Sequence, residues 1–197
     1  TSKHAIARKT RHSLEAFHGA PNPKALEAAW PYLSSQDYHL RYAARIAIEW
    51  QDAATWADKA YSEKNDVAAI HALLGLARCD HEGSLAPSIK RLLQVDFSKL
   101  DKTGKLALLR TYAVIMSRGG MPDTAQVKEI GDQLDPNFPA KDDNLNEELC
   151  RVLCYLQHPS AVAKTIALMK TTKAKVPDFD EAVMRRCLLY TSPSPRD

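Results

Sequence analysis

The chain has 197 residues, of which 45% are hydrophobic and 26% charged, and its formal net charge is +3. This length allows one domain or two small ones with a substantial core, and seven Gly with eleven Pro exclude a collagen-like or Pro/Gly-rich disordered chain. No stretch approaches the roughly 18 uninterrupted apolar residues of a membrane span.

Each end of the chain carries its own expectation. The first residue is Thr1 and Ser2–His18 already has a helical pattern, so we expect the natural N-terminus to be missing and residues 1–20 to end a preceding helical unit. The last eleven residues, 187–197, resemble a translated sequencing adaptor, with a natural Ser/Pro-rich tail as the alternative. We exclude this tail from the predicted fold.

Apolar residues recur at helical spacing through most of the chain. Those of residues 40–48 share one face of a helix, while Arg41, Arg45 and Glu49 lie on another face at four-residue spacing. No run shows two-residue alternation, which predicts an all-α protein without strands. Further stripes follow at 67–77, 106–116 and 145–156, with shorter runs at 26–33, 85–92, 127–134 and 162–169.

Residues with helix-boundary chemistry separate these runs. Short polar side chains accept hydrogen bonds from the first N–H groups of a helix, and a Gly pair followed by Pro ends one. A Pro residue also fits the first helical turn. The predicted N-caps are Asp37, either Asn65 or Asp66, and Asp123, with Pro23 in a first turn and Gly119–Gly120 at a helix end.

The helical runs fall into about five pairs. Their second members are centred 29, 36, 43 and 31 residues apart, near Ala44, Leu73, Leu109, Val152 and Val183. Such periods are typical of α-solenoids, in which each helix hairpin buries its apolar face only against its neighbours. We therefore predict an α-solenoid of about five antiparallel helix pairs over residues 21–186. The truncated last repeat, Asp178–Arg186, should expose apolar surface and cause self-association.

A family resemblance accompanies this pattern. The segment 25–50, ALEAAWPYLSSQDYHLRYAARIAIEW, has Pro31 in its first helix, Asp37 in the turn and Arg41 early in the second helix. It resembles a HEAT repeat, and His158–Lys170 resembles the first helix of another such repeat. The resemblance implies a HEAT-like or armadillo-type superhelix.

A second resemblance rests on HSLEAFHG at His12–Gly19, on HALLGLAR at His71–Arg78 and on segment 25–50. These stretches are similar to the helical-repeat segment of large exported bacterial proteins that join a sugar-dehydrogenase-like propeller to a c-type cytochrome module. The resemblance implies a spacer between redox modules, an exported or periplasmic location, and haem in the full-length parent. This chain has no Cys-x-x-Cys-His motif, so we expect no covalent haem in this segment.

Two cysteine motifs are candidate metal or redox sites. The run Cys79-Asp80-His81-Glu82 gathers ligand-type side chains, but it lacks the four ligands of structural zinc, which favours a helix end and a polar turn. Cys150 and Cys154 lie four residues apart, as a metal or redox pair would, although the usual burial of cysteine favours core packing. Without the tail these are the three cysteines, and they indicate no disulfide framework.

No other constellation indicates catalysis. The serines at positions 13, 84 and 117 have no nucleophile motif around them, and Gly119–Gly120 is read as a helix stop rather than a phosphate-binding loop. His71 is assigned to a repeat interface. We therefore predict no catalytic, cofactor-binding or metal-binding residue in this segment.

Two functions follow from these observations. The first is a noncatalytic scaffold or spacer that contacts a protein or neighbouring domains of the same chain. The alternative is an enzyme of the HEAT-like DNA glycosylase type. The net charge is small, and residues 101–150 contain nine acidic and six basic residues, which argues against binding to nucleic acid. We interpret the acidic segment as solvated surface rather than as part of an electrostatically polarised groove. The residues of a glycosylase-like concave face would be Trp30, Trp50, Trp56, Arg41 and Arg45.

Overall fold

The computed structural model describes residues 3–171, and all regular secondary structure in that range is helical. Residues 1–165 form one compact unit and residues 166–197 a second, of which only 166–171 are described. The ten α-helices of the described range are α1 (Lys3–Glu15), α2 (Ala25–Ala29), α3 (Tyr38–Glu49), α4 (Ala57–Ser62), α5 (Asp66–Arg78), α6 (Leu85–Leu92), α7 (Lys102–Gly119), α8 (Thr124–Leu134), α9 (Asp143–Tyr155) and α10 (Ala161–Thr171).

The predicted all-α class is confirmed for this range. The apolar faces of the helices form its core. Ala43, Ala44, Ala47 and Ile48 of α3 are all buried, as their helical spacing predicted. The stripe of α9 is buried in the same way, from Leu145 to Leu156. None of the helices within 3–171 combines the length and hydropathy that a membrane crossing needs.

Helix α5 is buried on more sides than its sequence stripe predicted. Leu73 and Leu76 are fully buried together with Ile70, whereas the stripe residue Val67 is only half-buried. The reason is that α5 contacts α3, α4, α6 and α7, so apolar residues all round the helix find neighbours. Prediction of a single apolar face suits a helix that packs on one side only. It underestimates the buried surface of α5, which has neighbours on several sides.

The predicted helix boundaries are largely confirmed by hydrogen bonds. The Asp37 side chain accepts from the backbone N–H of His39 at 2.8 Å and caps α3. Asn65, not Asp66, caps α5, and Asp123 caps α8. Gly120 has a φ of +85° and ends α7, a conformation that residues with a Cβ rarely adopt.

Two proline positions differ from the prediction. Pro23 precedes the N-cap Lys24 of α2 and therefore lies outside the first helical turn. Pro31 does not lie inside a continuous α-helix, because α2 ends at Ala29 and a 3-10 helix follows over Trp30–Ser34. Proline has no N–H for the i→i−4 ladder, which accounts for the change of helix type at this point.

Helix α4 is absent from the sequence prediction. It has only six residues, and its buried positions are two alanines, Ala57 and Ala60, next to the buried Trp56. So short a helix shows less than two turns of periodicity, and small residues carry little hydropathy signal. Helix α4 is held by packing against α5 and α6 rather than by its own sequence pattern.

The long helices contact one another in chain order. Helix α1 packs on α3, α3 on α5, α5 on α7, and α7 on α9, while α4 contacts α6 and α6 contacts α8. The predicted pair centres at Ala44, Leu73, Leu109 and Val152 fall in α3, α5, α7 and α9. The fifth centre at Val183, the repeat end Asp178–Arg186 and the tail 187–197 lie outside the described residues.

We predict that core packing in α5 dominates stability. Replacement of Ile70, which is fully buried, with Ala should lower the free energy of unfolding by about 2–5 kcal/mol through lost burial and a residual cavity. The same change at Ile6 of α1, which is 58% exposed, should alter it by less than about 0.5 kcal/mol. Urea unfolding followed by circular dichroism measures both, and equal losses would contradict the described core.

Candidate functional site

A cleft of about 590 Å³ opens where α3, α5 and α7 begin. We call it the Arg41 cleft. Arg41 lies one turn into α3, His71 lies on α5, and the segment that leads into α7 closes the other side. The polar residues that line the cleft are Gln36, Arg41, His71, Lys99, Asp101 and Thr103.

Arg41 brings a buried positive charge to this cleft. The residue is 7% exposed, and its Nη1 donates a hydrogen bond to the backbone carbonyl of Ser35 at 2.5 Å. Its Nε is buried without a hydrogen-bond partner, and no carboxylate of residues 3–171 forms an ion pair with its guanidinium. A buried charge without a counter-ion is costly, so this arginine is an unusual feature of the fold.

His71 lies next to this charge, half-buried in the same cleft. Burial, together with the positive charges of Arg41 and Arg45, lowers the pKa of His71 to about 4. The imidazole is therefore neutral at pH 7. His71 of α5 thus faces the arginines of α3, at a contact between these two helices.

A second arginine of α3, Arg45, has the partner that Arg41 lacks. Glu49, one turn further along α3, forms an ion pair with Arg45, and both of its carboxylate oxygens accept from the Arg78 Nε of α5 at 3.1 Å. The Arg45 guanidinium also lies over the ring of Tyr42, 5.3 Å from its centroid. Glu49 therefore links α3 to α5 and fixes Arg45 in place.

The Cys79–Glu82 motif lies in another cleft, of about 710 Å³, at the opposite ends of α3 and α5. The thiol of Cys79 donates to the Glu49 carbonyl at 3.5 Å, and burial raises the pKa of Cys79 to about 11. Asp80 pairs with Arg118 at 2.6 Å and has a φ of +51°, as in a turn after a helix end. Within the described residues no three His, Cys, Asp or Glu side chains are placed to hold a metal ion.

The expectation that Cys150 and Cys154 pack in the core is wrong for Cys154. Cys154 is exposed and Cys150 half-buried, with 3.9 Å between the two sulfurs. Cys150 Sγ also lies 3.3 Å from the hydroxyl of Thr165. The core face of α9 is filled by leucines and Val152, so the cysteines, which lie beside that stripe, are left on its flank.

The five residues assigned to a glycosylase-like face do not share one surface. Trp30 and Trp56 are buried and pack edge to face, with 6.3 Å between ring centroids. The Trp30 indole Nε1 donates to Glu63 at 2.7 Å, as a core tryptophan does. Trp50 alone of the three tryptophans is substantially exposed, at 46%.

Sequence reasoning missed two exposed tyrosines beside the Arg41 cleft. Tyr38 lines the cleft and is 62% exposed, and Tyr42 is 48% exposed. Their rings stack at 6.1 Å between centroids with an interplanar angle of 25°. Their four-residue spacing, away from the apolar stripe of α3, is the signal that would have found them.

Several acidic side chains of 101–150 form ion pairs, some between neighbouring helices and some within one helix. Asp142 pairs with Lys102 at 2.6 Å, and Asp135 pairs with Lys164 at 2.8 Å. Two glutamates of α9 both pair with Arg151. These pairs are partly or largely exposed, and such pairs contribute little to stability.

We predict that Glu49 is far more important to stability than a surface glutamate with the same kind of partner. The Glu49→Gln change leaves the buried Arg45 beside Arg78 without a counter-ion, which should cost about 3 kcal/mol of unfolding free energy. Glu147, 67% exposed and paired with Arg151 on α9, is the matched control, and Glu147→Gln should cost less than about 1 kcal/mol. Chemical denaturation measures both variants, and similar costs would contradict the linking role of Glu49.

We predict that His71 weakens the fold at low pH. Its pKa is about 4 in the folded chain and about 6.5 in an unfolded one, so between these values the unfolded state binds more protons. The free energy of unfolding should therefore fall by about 3 kcal/mol as the pH drops from about 6.5 to 4.

The His71→Gln variant removes this proton uptake and should have a visibly flatter dependence of stability on pH over that range. His4→Gln, at an exposed position of α1, should keep the slope of the unaltered chain. Urea titrations at a series of pH values make the comparison, and an unchanged slope in His71→Gln would contradict the prediction.

Comparison with known proteins gives no match to this chain, whether to a family model, to a curated protein or to a solved structure.

Proposed function

We propose that this chain is a noncatalytic α-solenoid scaffold of the HEAT-like or armadillo type, which binds a protein or spaces neighbouring domains of the same chain. The observation that carries the proposal is the order of helix contacts. Extensive contacts between α-helices of the described part join helices that are neighbours or next neighbours along the chain, and the 3-10 helix that follows α2 also packs on α5. Stacked helix pairs behave in this way because each repeat buries its apolar face against adjacent repeats.

Side-chain hydrogen bonds between helices support the same architecture. Trp30 reaches Glu63, 33 residues on, and Arg91 reaches Asp66, 25 residues back. Gln133 of α8 donates to the carbonyl of Leu92, 41 residues back. These separations are close to the helix-pair spacing in the sequence, so polar contacts as well as apolar ones link consecutive pairs.

The exposed aromatic residues of α3 support a binding role. Tyr38 and Tyr42 stack on the surface, and Trp50 follows directly after the helix. Tyr, Trp and Arg are enriched at the centres of protein interfaces, because each combines a large apolar area with a polar group. A solenoid that presents such residues along one helix suits contact with a peptide segment of another protein.

The wider context that we propose is a larger exported bacterial redox protein, in which this segment is the spacer and haem is held elsewhere. The resemblance of His12–Gly19 and His71–Arg78 to such proteins supports this context. Sequencing of the source gene across both ends tests it. A downstream Cys-x-x-Cys-His motif with an upstream signal peptide and propeller-like repeats is expected, whereas flanks that hold only further helix pairs would show a free-standing solenoid.

We predict that the α3 surface selects peptides. A random peptide library displayed on phage and panned against the immobilised full chain should yield binders, and the double variant Tyr38→Ser/Tyr42→Ser should bind them at least roughly tenfold more weakly. Both tyrosines are exposed, so the double variant should keep the fold.

Met121→Ser, at a residue that is 48% exposed in the segment between α7 and α8, is the control and should bind as the unaltered chain does. Excision of alkylated bases from duplex DNA by the purified chain would overturn the noncatalytic scaffold and favour the glycosylase alternative. Failure to select any peptide would count against a peptide-binding surface.

A further inference from the structure

We propose that the Arg41 cleft binds a carboxylate side chain of an acidic peptide segment, with the apolar side chains of that segment on the Tyr38–Tyr42 surface. The proposal rests on the scaffold function above and names the chemistry of its partner. It is carried by a buried cation for which the described residues supply no carboxylate, by an open cleft beside that cation, and by an exposed aromatic surface next to the cleft.

The buried cation is the first part of the argument. Arg41 is 7% exposed, and within residues 3–171 its Nε has no hydrogen-bond partner while its Nη1 donates to the carbonyl of Ser35. The neighbouring Arg45 is satisfied by Glu49, so the two cations of α3 differ in whether the fold supplies a counter-ion. A bound carboxylate would supply the missing charge, and arginine–carboxylate pairs are strong and directional.

The cleft offers further donors and no competing free acid. The hydroxyl of Thr103 and the amide of Gln36 belong to groups that line it, and so does the ammonium of Lys99, which also forms an exposed ion pair with Asp96 at 3.2 Å. Asp101 is the acidic residue in the lining, and its Oδ1 accepts from the backbone N–H of Gly104 at 2.7 Å, where it caps α7. The negative charge of Asp101 is therefore stabilised by the N-terminus of α7, which favours an anion at that position.

The aromatic surface gives the partner a second point of contact. Tyr38 lines the cleft and stacks on Tyr42, and Tyr42 in turn lies against the Arg45 guanidinium. Arg45 is fixed by Glu49. The tyrosine pair is thus held in position before any partner arrives, which lowers the entropy cost of binding.

The charge distribution favours an acidic peptide over a nucleic acid. Arg41 and Lys99 are the Lys and Arg residues in the described lining, and Asp101 lines the same cleft. A nucleic-acid strand needs a row of cations to neutralise successive phosphates. One deeply placed arginine next to exposed tyrosines suits a single carboxylate flanked by apolar side chains.

The test is fluorescence anisotropy with the full chain and a labelled, end-capped peptide of alternating Glu and Leu. The matched peptide of alternating Gln and Leu is the ligand control. The proposal expects binding of the Glu peptide, at least roughly tenfold weaker binding of the Gln peptide, and displacement by acetate rather than by inorganic phosphate or a single-stranded oligonucleotide. Equal binding of the two peptides, or displacement by phosphate or the oligonucleotide at lower concentration than acetate, would overturn it.

Variants locate the site. Arg41→Met keeps an unbranched apolar stem and removes the charged guanidinium, so affinity for the Glu peptide should fall at least roughly tenfold while the folded state is kept or stabilised. Lys99, 82% exposed, allows a second variant that leaves the fold alone, and Lys99→Gln should bind roughly two- to fivefold more weakly. Lys128→Gln, at a 77% exposed lysine of α8, is its matched control and should bind normally.

The His71 ring provides a readout that does not depend on affinity. Its Cε1–H resonance, assigned by its loss in His71→Gln, should shift on addition of the Glu peptide and stay in place with the Gln peptide. If Arg41→Met does not fold, this resonance and the comparison of Lys99→Gln with Lys128→Gln decide the outcome. Peptides that bind the tyrosine surface with no preference for Glu and no sensitivity to Arg41→Met would overturn the carboxylate site and leave the scaffold function standing.

Discussion

The carboxylate of Glu49 holds together the two helices on which the candidate site depends. It pairs with Arg45 on its own helix and accepts from Arg78 on α5, at a place where the side chains of Glu49 and Arg45 are only about a tenth exposed. Low exposure makes each of these interactions stronger than a surface ion pair, and makes the loss of any partner costly. The relative placement of α3 and α5, and hence of the cleft between their first turns, follows from this contact together with the buried alanines of α3.

The same contact explains why the two arginines of α3 behave differently. Arg45 reaches an acid one turn later in the helix, whereas the position four residues on from Arg41 is occupied by Arg45 itself, and no carboxylate of residues 3–171 pairs with Arg41. Two positive charges at that spacing repel each other, and both depress the pKa of His71 on the facing helix. The surplus of positive charge at the start of α3 therefore follows from the order of charged residues along that helix, and a bound anion would offset it.

Part of the candidate site could be predicted from the residues alone. Helix periodicity placed Arg41, Arg45 and Glu49 along one side of α3, and the capping residue Asp37 located the start of that helix. The cysteines show the limit of such reasoning. General burial preferences favoured the core for Cys154, but the apolar stripe of α9 already fills the space against α7 and leaves that thiol exposed. Preferences of residue types are averages, and competition for a limited interior decides the particular case.

The sequence by itself determined the all-α class of the described residues and most helix boundaries, because periodicity and capping act within one helix. Only the tertiary structure decided that α5 is buried on several sides, that Trp30 and Trp56 lie in the core, and that Arg41 lacks the counter-ion that Arg45 has. The first two facts depend on contacts between residues far apart in the chain, such as Trp30 with Glu63, 33 residues on, and Glu49 with Arg78, 29 residues on. The third depends on the fact that no carboxylate of residues 3–171 pairs with Arg41, whereas the partner of Arg45 lies four residues on in its own helix. Local pattern carries no information on which distant side chains will come together, since that is set by the packing of the whole core.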